Sequence, residues 1–196
     1  MTKYDRALAA IDSAHKDDPN TKTINSQTLP YELHYAQKMT YYLSRLNPAA
    51  SDLLRLAIRA QHLRRWETPR ASYPATKLGY HSWRTALQRT QAALAEKICL
   101  EAGYEDAEAA RVGALVRKAD LKKGEDADVQ TLEDVACLVF LDDQFDAFEA
   151  GLGDEEKIVD ILRKTWGKMS EAGHAEALRL ELSERGAALV QRALAG

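Results

Sequence analysis

Pro30-Tyr-Glu-Leu-His-Tyr-Ala-Gln-Lys-Met-Thr-Tyr-Tyr-Leu-Ser-Arg-Leu46, followed by Asn47-Pro48, decides the fold class. Proline suits the first turn of a helix, where its missing N–H is not needed. Leu33, Ala36, Met39, Leu43 and Leu46 then recur at steps of three and four, with Tyr35 and Tyr42 beside them. That is the period of a helix with one buried face.

The same period runs through the rest of the chain. Tyr4 to Ala14 reads as a first helix, ended by the turn-rich Asp17-Asp-Pro-Asn-Thr. Asn47-Pro48 reads as a cap and first-turn proline opening a third helix with Leu53, Leu54, Ala57, Ile58 and Gln61. Pro69 and Pro74 stop it, leaving an irregular connection at 67–79. A fourth helix is predicted from Ser82 to Glu101 with a stop at Gly103, and a fifth from Glu105 to Lys118. After a charged loop at 122–129, Thr131 and Asp134 resemble a capping box opening an apolar helix that ends near Phe148. Asp154 caps another reaching Trp166, and Ser183 opens the last. No alternating run between hairpin turns stands out. The prediction is an all-α, single compact domain over 1–196 with seven to nine helices.

Composition agrees with a globular chain: 196 residues, 45% hydrophobic and 29% charged. The longest apolar run, Val135 to Leu141, is too short to span a bilayer, and the Met-Thr-Lys-Tyr-Asp-Arg start lacks the apolar core of a signal peptide. Cys99 and Cys137 sit in apolar helical text without CxxC spacing, so they read as reduced core residues of a cytoplasmic protein. His15 and His174 lie in polar end segments and are expected at the surface. Ile158, Trp166 and Met169 are expected in the core.

Between Arg55 and Arg89 stand seven arginines and one lysine against a single acid, Glu67. That segment carries +7 while the chain totals −3, so everything else sums to −10. Trp66 and Trp83 lie within it. Arginine presents a fixed fork of donors and stacks on rings, so this knot suits planar recognition of an anion. Arg59, His62 and Arg65 or Trp66 lie three to four residues apart and share one face, while Arg64 points elsewhere. Gly79 and the start of helix four would add unpaired N–H groups that attract phosphate or carboxylate. Two like charges roughly 4 Å apart repel by about 4 kcal/mol at an effective dielectric of about 20. Converging guanidiniums therefore need an anion among them. It is either a ligand or the protein's own Glu133, Asp134, Asp142 and Asp143.

Ala60-Gln-His-Leu-Arg-Arg-Trp with Pro69-Arg70, Ser72-Tyr-Pro and Gly79-Tyr with Trp83-Arg84 form long motifs, as do Asp17-Asp-Pro-Asn, Gln130-Thr-Leu-Glu-Asp-Val-Ala-Cys-Leu-Val-Phe-Leu and Leu162-Arg-Lys-Thr-Trp-Gly-Lys-Met-Ser. Together they resemble domain-of-unknown-function family 4202, bacterial and fungal chains sometimes labelled glutamyl-tRNA synthetase-like. The chain has no nucleotide-binding sheet text and no HIGH-type or KMSKS-type signature to support that label. The order of helices and motifs is also similar to the HD-domain phosphohydrolases, which hold divalent metals on histidines and aspartates to activate water against a phosphate ester. That resemblance places Gln61-His62 at the His-Asp pair and Glu133-Asp134 near the last aspartate. The chain departs from it: the His-Asp dipeptide is absent, Gln91 stands where the first family has His on helix four, and His34 and His81 are the other histidines near the motif.

The candidate site follows. Gln61, Arg64, Arg65, Arg70, Tyr73, Tyr80, Trp83 and Arg84 would bind substrate: the arginines clamp an anion and a ring stacks on a base. His62, whose pKa Arg64 and Arg65 would lower, is the candidate base, with Asp134 and Glu133 as the candidate acids. No cofactor is implied beyond a divalent metal, which His62 and Asp134 would have to hold. The expected activity is hydrolysis of a small phosphorylated or nucleotide-like metabolite. The alternatives are a non-catalytic anion- or nucleotide-binding regulatory module and an RNA-binding protein, while no membrane partner is expected.

Overall fold

Helix α2 (Tyr31–Leu46) is the spine of the computed structural model, which describes residues 1–119 and 126–195. Its predicted stripe is the buried one: Met39 is fully enclosed, and Leu43 and Tyr42 are nearly so. Burying each such side chain contributes roughly 1.5–3 kcal/mol. The helix lies between α1 (Lys3–Lys16), α3 (Asp52–Arg59) and α6 (Ala127–Val139), with α6 its most extensive partner. Helices α4 (Lys77–Glu101) and α5 (Asp106–Val116) form an antiparallel pair that packs on α3 and α1. The turn between them is made by Gly103 at φ +92, a left-handed conformation that favours glycine. The chain closes with α7 (Phe145–Leu152), α8 (Glu155–Trp166), α9 (Glu171–Ala177) and α10 (Glu184–Leu194). The result is a compact helical domain of ten α-helices among the described residues, one above the predicted range. None of those helices is long and apolar enough to cross a membrane.

Several boundaries differ from prediction for local reasons. A two-stranded antiparallel hairpin, β1 (Thr21–Ile24) and β2 (Gln27–Pro30), precedes α2. Its turn residues Asn25 and Ser26 both have positive φ, 47° and 66°, as a two-residue hairpin of this hand demands. Asn-Ser is a weaker signal than Asn-Gly. Asn47 ends α2, and Ser51, whose hydroxyl accepts from Leu54 N, opens α3. Asp126 caps α6, so Thr131 and Asp134 do not open that helix, and Glu133 and Asp134 sit buried in its second turn. Of the charged loop expected at 122–129, residues 122–125 lie outside the described residues. The apolar helix expected to run to Phe148 is interrupted by a π-helical turn at Phe140–Gln144 before α7 begins. Helix α9, capped by the Ser170 hydroxyl, has no counterpart in the sequence prediction.

The connection from α3 to α4 is ordered by its own polar groups. Short 3₁₀ turns form at Arg65–Glu67 and Arg70–Ser72, and the Arg70 guanidinium donates to the Tyr73 and Pro74 carbonyls, 2.8 Å each. Thr76 caps α4 by accepting from Gly79 N. That N–H is therefore not free for an anion. Gly79 instead permits a close approach of two backbone segments, since a Cβ there would lie 2.2 Å from the Pro74 carbonyl oxygen. Gly79→Ala is expected to lower stability by about 1–3 kcal/mol, the scale of overpacking a closed contact. Chemical denaturation of the two proteins checks it, and a stability equal to wild type would show that the loop does not depend on this approach.

Candidate functional site

Helix α3 stops at Arg59 because the chain turns left-handed twice: His62 has φ +64 and Arg64 has φ +52. Such angles cost an ordinary L-residue about 1–2 kcal/mol. They also undo the single face predicted for Arg59, His62 and Arg65. Arg59 turns back to Asp12, at 2.6 and 3.0 Å, and to Thr40. Arg64 points outward to Asp17 and Glu67. His62 goes inward, its ring stacked on Tyr35 with centroids 3.9 Å apart and planes 10° from parallel.

His62 Nε2 lies 2.8 Å from Arg65 Nη1. A guanidinium can only donate, so this nitrogen accepts, and a neutral ring then carries its proton on Nδ1. Nδ1 is sealed from solvent and has no protein partner. Burial holds the His62 pKa well below its ordinary value, and the charges of Arg65, Arg84 and Lys118 push it the same way. The ring is neutral, as the sequence suggested, but the cations responsible are Arg65, Arg84 and Lys118.

Arg65 is half-buried, with its guanidinium 4.8 Å from the Trp83 ring centroid, and no carboxylate lies within ion-pair distance of it among the described residues. Burial pulls its pKa down. Trp83 is held in place by its Nε1–H, which donates to the Thr68 carbonyl, and Arg70 also lies over its ring. With 5% exposure, Trp83 cannot offer a face to a ligand base; Tyr80, 43% exposed and 5.9 Å away, can. Exposed Arg84 makes no ion pair among the described residues. On the α6 side, buried Glu133 is paired with Lys118, and Lys168 lies 3.7 Å from its other oxygen. Burial alone would raise the Glu133 pKa; Lys118, Lys168 and Arg84 outweigh it and hold it low. Arg84 and Lys118 thus act on both His62 and Glu133. Four cations, Arg65, Arg84, Lys118 and Lys168, act around His62 and Glu133, and the Glu32 carboxyl group meets the main chain at Arg65.

The remaining candidates are placed elsewhere. Asp134 turns to the start of α9, where it accepts from Ser170 N at 2.8 Å, Ser170 Oγ at 2.5 Å and Gln130 at 3.0 Å. A Cβ on Gly173 would lie 2.8 Å from it. His62 and Asp134 therefore share no donor set for a metal, since each is committed to a protein group. No cluster of three or more His, Cys, Asp or Glu suited to a metal ion occurs among the described residues. Gln61 is buried and donates to Ala57 O, Tyr73 is half-buried with its carbonyl on Arg70, and Gln91 is buried on α4 with Nε2 unpartnered. His34 pairs with Asp143, and His81 is exposed beside Tyr80. Two of the acids expected to neutralise the knot serve other partners: Asp142 takes Lys38, and Asp143 takes Lys22 and the His34 ring. His15 is fully buried, against expectation, because Nε2 meets the Arg59 carbonyl at 2.8 Å. His174 is half-buried and stacks on Trp166, which is itself only half-buried; Ile158 and Met169 are in the core as expected. Cys99 and Cys137 are free and buried, and burial raises both thiols, Cys99 to about 11 and Cys137 to about 12. Sequence reasoning missed Tyr35, Lys118 and Lys168. They stand 27, 56 and 106 residues from His62 in sequence, and no spacing rule links them.

A family model described as a domain of unknown function, DUF4202, matches residues 5–190. The chain belongs to this family. No curated protein and no solved structure matches the chain. A relation of this DUF4202 protein to the HD phosphohydrolases is not shown.

The neutral, half-buried His62, with its Nδ1 enclosed, has a measurable consequence. Below the ordinary histidine pKa of about 6.5 the unfolded chain takes up a proton there and the native protein does not. Stability should then fall as pH drops below about 6.5, at up to about 1.4 kcal/mol per pH unit from this group. His62→Asn, which tolerates a left-handed backbone, should remove that share of the slope. Denaturation of both proteins between pH 7.5 and 5 checks it; equal slopes would mean that His62 titrates freely in the native state.

Proposed function

We propose that this DUF4202 chain binds a small, multiply charged anion, phosphate- or carboxylate-bearing and nucleotide-like, in the region of Arg65, Arg84, Lys118 and Lys168. The observation that carries the reading is Arg65: a half-buried guanidinium that makes no ion pair among the described residues and is hydrogen-bonded instead to a neutral histidine. A cation in such surroundings is held against its own desolvation, and an incoming anion relieves that cost. Tyr80 at the rim offers the ring on which a base would stack.

A binding role is favoured over hydrolysis by the state of the two groups that would move protons. His62 Nε2 is taken by Arg65 and Nδ1 is enclosed, while Asp134 accepts three hydrogen bonds. Glu133 is the remaining candidate acid, held ionised by lysines. The HD-like hydrolase and RNA-binding readings remain distinguishable by experiment.

Phosphate, sulfate or a nucleotide at millimolar levels should raise the Tm more than chloride at equal ionic strength, since a ligand bound only to the native state stabilises it by mass action. Arg84→Ala should abolish that gain while changing apo stability by no more than about 0.5 kcal/mol, as expected for an exposed residue without partners. Arg59→Ala should do the reverse: it strands Asp12, costs about 1.5–3 kcal/mol and leaves the anion response intact. An anion-independent Tm would sink the reading. Turnover of a phosphorylated metabolite would restore the hydrolase, and a steep salt dependence of tRNA binding would favour RNA.

A further inference from the structure

The left-handed turn that carries His62 and Arg65 is gripped from behind by a carboxylate from another helix. Glu32, in the first turn of α2, is 3% exposed. Its Oε1 accepts from Trp66 N at 3.1 Å and its Oε2 from Arg65 N at 3.3 Å. No lysine or arginine side chain pairs with it among the described residues, and the His15 ring nitrogen Nδ1 is 3.8 Å away. Glu32 is itself anchored, its N–H donating to Asp18 Oδ2 at 3.0 Å, while Asp18 Oδ1 holds Asn20. The buried carboxyl group spans two successive main-chain N–H groups, of which Arg65 N also donates to the His62 carbonyl at 2.9 Å, so Glu32 and the turn's own bond hold Arg65 together. These N–H groups immediately follow the left-handed Arg64.

We infer that Glu32 is a positioning residue of the anion site: by holding the Arg65 and Trp66 N–H groups it fixes where the Arg65 side chain leaves the backbone, and so sets the Arg65–His62 contact that the ligand meets. The inference rests on the anion-binding reading above and extends it to a residue that does not touch the ligand. Two features separate positioning from a general fold tie. The groups Glu32 holds belong to Arg65 itself and its neighbour. The contact that follows, Arg65 Nη1 on His62 Nε2, needs the turn in register, because His62 can accept there only as the Nδ1–H tautomer. Glutamine at position 32 offers one accepting oxygen and turns a donor toward the second N–H, so it cannot replace the carboxylate.

The test compares wild type, Glu32→Gln and, as a fold control, Asp12→Asn, which breaks the neighbouring Arg59 tie. Inorganic phosphate binding is measured by calorimetry, and the His62 tautomer by ¹⁵N imidazole shifts without anion. Glu32→Gln should weaken phosphate binding by about 10-fold or more, the scale on which outer partners of ligand groups act. Asp12→Asn should stay within about twofold of wild type, as distant sites do. His62 should lose its single Nδ1–H tautomer in Glu32→Gln alone. Unchanged phosphate affinity in Glu32→Gln, or an equal loss in both variants, overturns the inference and leaves Glu32 a fold tie. Failure of wild type to bind phosphate overturns the anion reading instead; the His62 ring then decides Glu32, and a tautomer unchanged by the substitution removes its positioning role. If Glu32→Gln does not fold, Glu32→Asp, one methylene short of both N–H groups, takes its place with the same outcomes.

Discussion

Everything distinctive about this domain depends on the chain leaving α3 through two left-handed residues. A helix continuing past Arg59 would have sent His62 and Arg65 out on the face that now binds Asp12 and Thr40. By reversing at His62 and Arg64 the backbone turns a half-buried imidazole onto the Tyr35 ring and lays a guanidinium beside it. Both the strained angles and the enclosed Nδ1–H oppose stability. They persist because surrounding structure over-determines them: the Tyr35 stack, the Trp83–Thr68 bond and the buried Glu32 carboxylate.

The arginine knot is resolved by this geometry into three populations. Arg59 and Arg64 have carboxylates from elsewhere in the sequence, Asp12, Asp17 and Glu67. Arg55 and Arg70 spend their donors on main-chain carbonyls and thereby stiffen the turns beside them. Arg65, Arg84 and Arg89 have neither kind of partner among the described residues, and Arg65 and Arg84 both act on the same half-buried histidine. Net charge by segment could not make this division, because it depends on which way each side chain leaves the backbone. It turns a +7 stretch into a much smaller unneutralised cluster, to which Lys118 and Lys168 are added from other helices.

The helices were legible wherever one apolar stripe and one cap agreed. The stripe of α2 and the caps Asp154 and Ser183 match the structure because their signals are local. The misreadings have a common origin in polar residues with two possible uses. Asn47 looked like an N-cap and closes a helix; Glu133 and Asp134 looked like first-turn acids and are interior ion and hydrogen-bond partners. His15 looked solvent-exposed and is sealed on a carbonyl of α3. Within the site, sequence reading found Arg65, Arg84 and His62 from local density. It missed Lys118, Lys168 and Glu32, whose roles arise only when α2, α6 and the α3–α4 connection are brought together.

That pattern separates two kinds of polar burial in one small protein. Asp134, the more obvious acid from its motif, is saturated by Ser170 and Gln130 and joins α6 to α9; removing any partner would leave an acceptor unpaired. The His62 region is the opposite: Nδ1 lacks a protein acceptor, and Arg65 and Arg84 lack a protein anion among the described residues. A domain that satisfies Asp134 so fully, and has acids to spare in a chain of net charge −3, had the means to neutralise the arginines as well. Under the anion-binding proposal, leaving them cationic trades stability for affinity toward negative charge.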